Sequence, residues 1–441
     1  MFVPEYEYNI GMRFYATSGN GLKGRIRASL SDFIVEEIDK NGVRWPVKGD
    51  VRRLSNRSRF LHFTLVKEGY DTPSAIRVIS KRTGIPAKFF SYAGLKDKLA
   101  KTAQRVSIPV KFMERLRTFQ HGMIKIKDLT FSDRNIGLGD LSGNSFRIKI
   151  VLSSDNEDVK SKLNLIREEI LELGGIPNFY GHQRFGTIRC VNHQIGKLLL
   201  ERRFEDAVKL FLTFKSDFES EDSKLFRNGV LNLLEDGVNG EVADHLFYEY
   251  MIVKYLKKHP GDYKGCFLSL PKNISRLFLH SYQSYIFNLT LSERWSRGLP
   301  LNEAVSGDII FEGVKGYPRY RRVSNSELPE INRNIKSQRY RVVLPVVGYD
   351  SKLPSGEAGE CVLKVLESER VNLEDFHIPE VQNLSSAGDY RGVLAPVYNF
   401  KIKYYSKKNI AWLSFTLEKG CYATVLIREF LKNSDFYQVG Y

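Results

Sequence analysis

The sequence predicts an α+β protein of more than one domain, on three observations. β-branched and alternating apolar runs lie in the first third and again near the carboxyl end, at 60–66, 106–110, 144–151 and 411–417. From about residue 190 the texture changes to helical segments rich in Leu, Lys and Glu. The 441 residues also exceed what one core usually serves, on the order of 100–200.

Taken in order, residues 25–39 read as a strand with an acidic end, Ser31-Asp-Phe-Ile-Val-Glu-Glu-Ile-Asp39, with Phe33 facing inward. Residues 44–59 carry Arg44, Lys48, Arg52, Arg53, Arg57 and Arg59 around Trp45, with Asp50 the one acid. Gly, Pro and Asn break this piece into a long loop or hairpin, which serves equally well as a phosphate-binding loop or a solvated surface. A strand over 60–66 leads to a helix that Thr72 caps, Pro73 starts, and Gly84 with Pro86 ends.

Next comes Ser91-Tyr-Ala-Gly-Leu-Lys-Asp-Lys-Leu-Ala-Lys-Thr-Ala-Gln104. Gly94 permits a sharp turn that presents Asp97 between Lys96 and Lys98. A carboxylate flanked by ammonium groups is pushed toward its charged form, which suits a nucleophile or a base, and the positive field attracts phosphates. Most such turns are nevertheless solvated loops, so the turn alone decides nothing.

The 144–151 strand places Phe146, Ile148 and Ile150 on one face and Arg147 and Lys149 on the other. Val159, Leu163, Ile166, Ile170 and Leu173 mark an amphipathic helix stopped at Gly174-Gly175. Pro177-Asn-Phe-Tyr-Gly-His-Gln-Arg-Phe-Gly186 follows. There the Asn178 amide offers one donor and one acceptor edge to a base, and Gln183 and Arg184 suit phosphate or backbone carbonyls. Helices are expected over 195–204, 231–256 and 276–295, their aromatics serving the core. Residues 315–341 mix Lys and Arg with Tyr317, Tyr320 and Tyr340, a stretch suited to unpaired or looped RNA, with a solvated loop as the rival reading. Arg391 lies in a Gly-bounded segment, and Tyr422 sits at a strand–helix junction after Gly420.

Lys and Arg outnumber Asp and Glu by 67 to 51, a net charge of +16, which favours a polyanion and first of all nucleic acid. The amino-terminal residues lack the basic start and apolar core of a signal peptide, and no apolar run of about 18 appears, so a cytoplasmic protein without a membrane is expected. Cys190, Cys266, Cys361 and Cys421 stand far apart and the histidines do not cluster, so no metal and no disulfide framework is expected.

Three segments in this order, Gly94–Gln104, Pro177–Gly186 and Gly420–Phe430, resemble the motifs of the TruD family of pseudouridine synthases, in the form of its archaeal-type members. The resemblance implies a mixed, largely antiparallel catalytic sheet formed by 1–204 and 393–441, with a TruD-specific α+β domain over 205–392 inserted. It implies a tRNA pseudouridine synthase acting at position 13, with Asp97 catalytic and no cofactor. Phe33 and Tyr422 would sandwich the uracil, and Asn178 would bond the uracil or its sugar. Lys96, Gln104, Gln183, Arg184 and Arg391 would support the site. The competing reading is a tRNA-binding or RNA-folding protein on the same scaffold, without catalysis. A hydrolytic metal enzyme would need paired carboxylates or clustered histidines, and neither occurs.

Overall fold

Alternating residues from both ends of the sequence meet in one sheet. The computed structural model describes residues 3–50, 56–153, 158–236, 246–313, 319–432 and 439–440. It divides into a sheet unit, Ala16–Ile176 with Ala395–Tyr441, and a helical unit, Met1–Tyr15 with Pro177–Leu394. These bounds cut the chain elsewhere than the partition expected at 204/205 and 392/393. The helix Asn192–Leu200 packs into the same core as later helices of the helical unit, so it belongs to that unit by packing.

The sheet unit holds β1 (Gly24–Arg25), β2 (Phe33–Asp39), β3 (Phe60–Glu68), β4 (Ser91–Tyr92), β5 (Lys101–Pro109), β6 (Ile124–Ser132), β7 (Leu141–Leu152), β8 (Tyr398–Tyr405) and β9 (Ile410–Glu418). They form one nine-stranded sheet in the order β8-β9-β7-β2-β5-β3-β6, with β1 beside β7 and β4 beside β5. Among the described strands of this sheet only the β2–β5 pair is parallel, because the chain between them crosses over through β3 and the helix Thr72–Thr83. The fold is therefore α+β with a mixed, largely antiparallel sheet.

Residues of matching period face one another: Phe146 lies opposite both Val35 and Phe415, and Ile148 opposite Phe33 and Leu413. Gly143 is required by close approach, since a Cβ there would lie 2.3 Å from the Leu417 carbonyl oxygen. Leu61, Phe63 and Leu65 of β3 pack on Ala75, Ile76 and Ile79 of the helix Thr72–Thr83. That helix differs from expectation at its start. Asp71 is the cap, its carboxylate accepting the Ser74 amide at 2.7 Å, and Thr72 is the first helical residue.

The helical unit is built on Lys272–Ser296, a 25-residue helix. Its Leu279, Tyr282 and Ile286 pack on Val362, Val365 and Leu366 of the helix Gly356–Glu369. The Arg294 guanidinium makes a fully buried, two-pronged pair with Asp308 at 2.7 and 2.8 Å. A four-stranded antiparallel sheet orders Arg319–Arg322, Ile309–Glu312, Tyr340–Val346 and Asp389–Gly392. The basic stretch expected as a loop over 315–341 is thus a strand, a helix (Leu328–Lys336) and the start of another strand, with 314–318 outside the described residues. The helix expected over 231–256 is two helices, Glu221–Asp236 and Phe247–Lys258, with 237–245 outside the described residues. Arg52 and Arg53 of the other basic stretch also lie outside them.

Candidate active site

Residues 93–100 carry Asp97 between β4 and β5 without regular structure. The expected glycine hinge is not what shapes them: Gly94 does not take a left-handed backbone, and a Cβ there would meet open space. Side chains from four directions hold the segment instead. The Thr72 hydroxyl accepts the Lys96 amide at 2.9 Å. The Gln104 side-chain amide donates to the Gly94 carbonyl at 2.9 Å. The Lys67 ammonium donates to the carbonyls of Lys96 and Asp97 at 3.1 and 2.9 Å. The Lys96 ammonium pairs with Glu37 of β2 at 2.8 Å, both side chains buried.

That last pair corrects an expectation. Lys96 points inward, because a buried ammonium needs a carboxylate partner and Glu37 provides it. The cation beside Asp97 is Arg27, whose Nη2 lies 3.3 Å from Oδ2. Arg27 is 9% exposed and the Asp97 carboxylate 57% exposed, so the buried partner is fixed and the carboxylate faces outward. The Arg27 backbone sits at φ 58, a left-handed conformation that costs an arginine about 1 kcal/mol or more. Its guanidinium lies 4.4 Å over the Phe33 ring. Burial lowers the Arg27 pKa and the Asp97 charge works against that. Phe33 itself is 3% exposed, with its edge on Phe146 and a face under Arg27. Tyr422 is half-buried at the N-cap of the helix Ala423–Leu431, after Gly420 at φ 81.

In the helical unit, Asn178 and Arg391 form a second cluster. Arg391 donates from Nε to the Asn178 backbone carbonyl at 2.8 Å and from Nη2 to its side-chain oxygen at 2.5 Å. The Asn178 amide nitrogen donates to the Gly392 carbonyl at 3.0 Å, so both ends of the amide are oriented. The Arg391 guanidinium also lies 4.1 Å over the Tyr180 ring. Arg184 donates to the Ser284 hydroxyl at 3.0 Å, and Gln183 is half-buried beside it in the short 3-10 turn His182–Arg184. Phe179 and Phe185 are fully buried core residues.

Several of these residues escaped the sequence reading. Arg27 sits in an unremarkable run 70 positions from its partner. Lys67 lies just past the strand expected over 60–66 and carried no role, and Thr72 looked like a cap. Asn288 bonds both backbone groups of Tyr180, accepting its N–H at 2.9 Å and donating to its carbonyl at 3.0 Å. A signal existed there: Ser281, Ser284 and Asn288 repeat at helical spacing inside an apolar helix, and all three are buried. Among the described residues no three His, Cys, Asp or Glu side chains gather where they could share a metal ion, and no helix is long and apolar enough to cross a membrane.

A family model described as tRNA pseudouridine synthase D (TruD) matches residues 9–430. The chain belongs to the TruD family. All three TruD motifs lie inside the matched span. The chain is 35% identical to a probable tRNA pseudouridine synthase D of Methanosarcina barkeri, covering 98% of each. It is 34% identical to one of Thermococcus sibiricus, over 95% of this chain and 97% of that one. A crystal structure of a putative TruD from Methanosarcina mazei matches with a TM-score of 0.80 and 35% identity over 100% of both chains.

Proposed function

We propose that this TruD family member isomerises a uridine of tRNA to pseudouridine, with position 13 as its target, and that Asp97 acts at the reacting sugar. The N1–C1′ bond breaks, the uracil turns over, and C5 bonds to C1′. The proton that leaves C5 is balanced by one taken up at N1, so no redox partner or cofactor is consumed. Asp97 serves either as nucleophile at C1′ or as the base that takes the 2′ hydrogen, and both routes need an ionised, aimed carboxylate.

The observation that carries this reading is the buried Arg27 guanidinium 3.3 Å from the exposed Asp97 carboxylate. A buried, pre-oriented cation keeps a carboxylate available without reorganisation at the moment of reaction. The target base must leave its stack to be reached, and the family motifs assign that work to aromatics. Phe33 and Tyr422 are proposed as the uracil contacts and Asn178 as a hydrogen-bond partner of the nucleotide. Lys96, Gln104, Gln183, Arg184 and Arg391 support them. For Phe33 to stack on a base through the face that Arg27 covers, the guanidinium has to shift. The functional partition proposed is a catalytic domain of 1–204 and 393–441 around an inserted domain, with the cytoplasm as compartment.

The deciding experiment maps pseudouridine in tRNA transcripts after incubation with wild type and with Asp97→Ala. Conversion of one uridine by wild type alone supports the proposal and names the position. Binding by both proteins with conversion by neither would favour the RNA-binding alternative.

A further inference from the structure

We infer that Lys67 is a positioning residue for Asp97, its ammonium clamping the backbone of the turn that carries the carboxylate. This rests on the reading of Asp97 as the acting group.

An ammonium has three hydrogens to donate, and Lys67 spends all three on carbonyls. They belong to Tyr70 at 2.6 Å, Lys96 at 3.1 Å and Asp97 at 2.9 Å. Two are consecutive carbonyls of the catalytic turn, and the third belongs to the chain just after β3. One point charge therefore ties the turn to a strand of the central sheet. The site is expensive to build, because Lys67 is fully buried and its bonds go to neutral groups. An apolar side chain would occupy the same strand position at lower cost, but it would leave three carbonyls without donors.

The charges around Lys67 are otherwise engaged. On its own strand, Glu68 pairs with Lys101 at 3.0 Å. Lys96 pairs with Glu37, and Asp97 with Arg27. Asp71 caps the helix Thr72–Thr83 through the Ser74 amide. Burial pushes the Lys67 pKa down to about 8, Asp97 and Asp71 oppose this, and Lys96 adds to it. Loss of the proton leaves two donors for three carbonyls and removes a positive charge facing Asp97. The turn loosens where the reaction needs it fixed.

Stability runs the other way, which separates positioning from unfolding. The ordinary lysine value of 10.5 lies above the folded one, so between about 8 and 10.5 the unfolded chain binds more protons. Through this group the fold gains stability as pH rises across that window, while the clamp weakens.

The test is single-turnover pseudouridine formation on a tRNA transcript as a function of pH, for wild type, Lys67→Met and Lys67→Arg, with thermal unfolding recorded at each pH. Wild type is expected to lose rate as pH rises through about 8 without loss of melting temperature. Lys67→Met should lower the rate constant by about 10²-fold with tRNA affinity nearly unchanged, and should lack that alkaline limb. Lys67→Arg, protonated throughout, should recover part of the rate and carry its limb at higher pH. An active wild type with a Lys67→Met variant of equal rate and identical pH profile overturns the inference. If Lys67→Met does not fold, an unmoved limb in Lys67→Arg overturns it. A wild type that forms no pseudouridine refutes the functional reading first, and the positioning role falls with it.

Discussion

The Thr72 hydroxyl donates to the Gln104 side-chain carbonyl at 2.7 Å while accepting the Lys96 amide at 2.9 Å. Both residues are fully buried, so this one oxygen joins the helix after β3, the strand β5 and the turn bearing Asp97. Thr72→Val keeps the shape and removes the bond, leaving a buried N–H and a buried carbonyl unpaired. A loss of about 1–3 kcal/mol in unfolding free energy is expected, together with a lower turnover, measured by denaturant unfolding and tRNA modification. Unchanged stability and rate would show that the turn keeps its form without Thr72.

Arg27 is ion-paired with Asp97 at 3.3 Å. Arg27→Met should lower turnover by about 10²–10³-fold, the range seen when one pre-oriented donor is removed from a reacting site. Arg27→Lys keeps the charge without the planar group over Phe33 and should fall between the two. Steady-state kinetics on a single tRNA transcript will rank the three proteins.

Arg391 grips Asn178. Its two donors fix both the backbone and the side-chain oxygen of that residue, and lysine cannot reproduce a two-pronged planar grip. Arg391→Lys is expected to weaken tRNA use by about 10-fold, and the double variant with Asn178→Ala should be no worse than Asn178→Ala alone. Additive losses would mean that Arg391 contributes independently of Asn178.

Asn288 is buried with its amide spent on Tyr180 and on the Ile10 carbonyl. Asn288→Leu fills the space but strands a buried N–H and two carbonyls, and should cost about 2–4 kcal/mol. The unfolding transition of the full chain reports it. A shift under about 1 kcal/mol would mean that water replaces the amide.

His193 gives the fold an acid-side sensitivity. Burial lowers its pKa from 6.5 to about 4, so between those values the unfolded chain binds the proton and the folded one does not. Stability from this group is full above pH 6.5 and falls as pH drops toward 4, at up to about 1.4 kcal/mol per pH unit. His193→Phe, beside Phe185 and Tyr285, should flatten that slope. His280, lowered by burial in the same direction, would sustain what remains.

What the sequence revealed and what it hid follow from range. Alternation survives in β7 and β9 because one face of each is buried, and the four-three spacing of Val159 to Ile170 survives because that helix buries one side. The turn bearing Asp97 was legible through its motif. The cation beside Asp97 was not, since chain proximity pointed to Lys96 while Glu37, 59 positions away, claims it. Thr72 carried a plausible local role as a cap and Lys67 carried none, and the partners of both lie about thirty positions on. In the 315–341 stretch, charge and aromatics hid regular structure: Arg321 sits in a strand and is bound by Glu312 and, at 2.7 Å, by Glu327.

The Asn178 backbone N–H donates to the Val393 carbonyl at 2.8 Å, although more than two hundred residues lie between them. The 177–394 span of the helical unit therefore begins and ends at one point. A flexible connection of that length between β7 and β8 would impose a closure penalty that grows with the logarithm of its length. Here folding of the intervening span brings its own ends together, and to the sheet it has the reach of a tight turn. Lineages can then lengthen, trim or replace that span without re-registering the strands on either side.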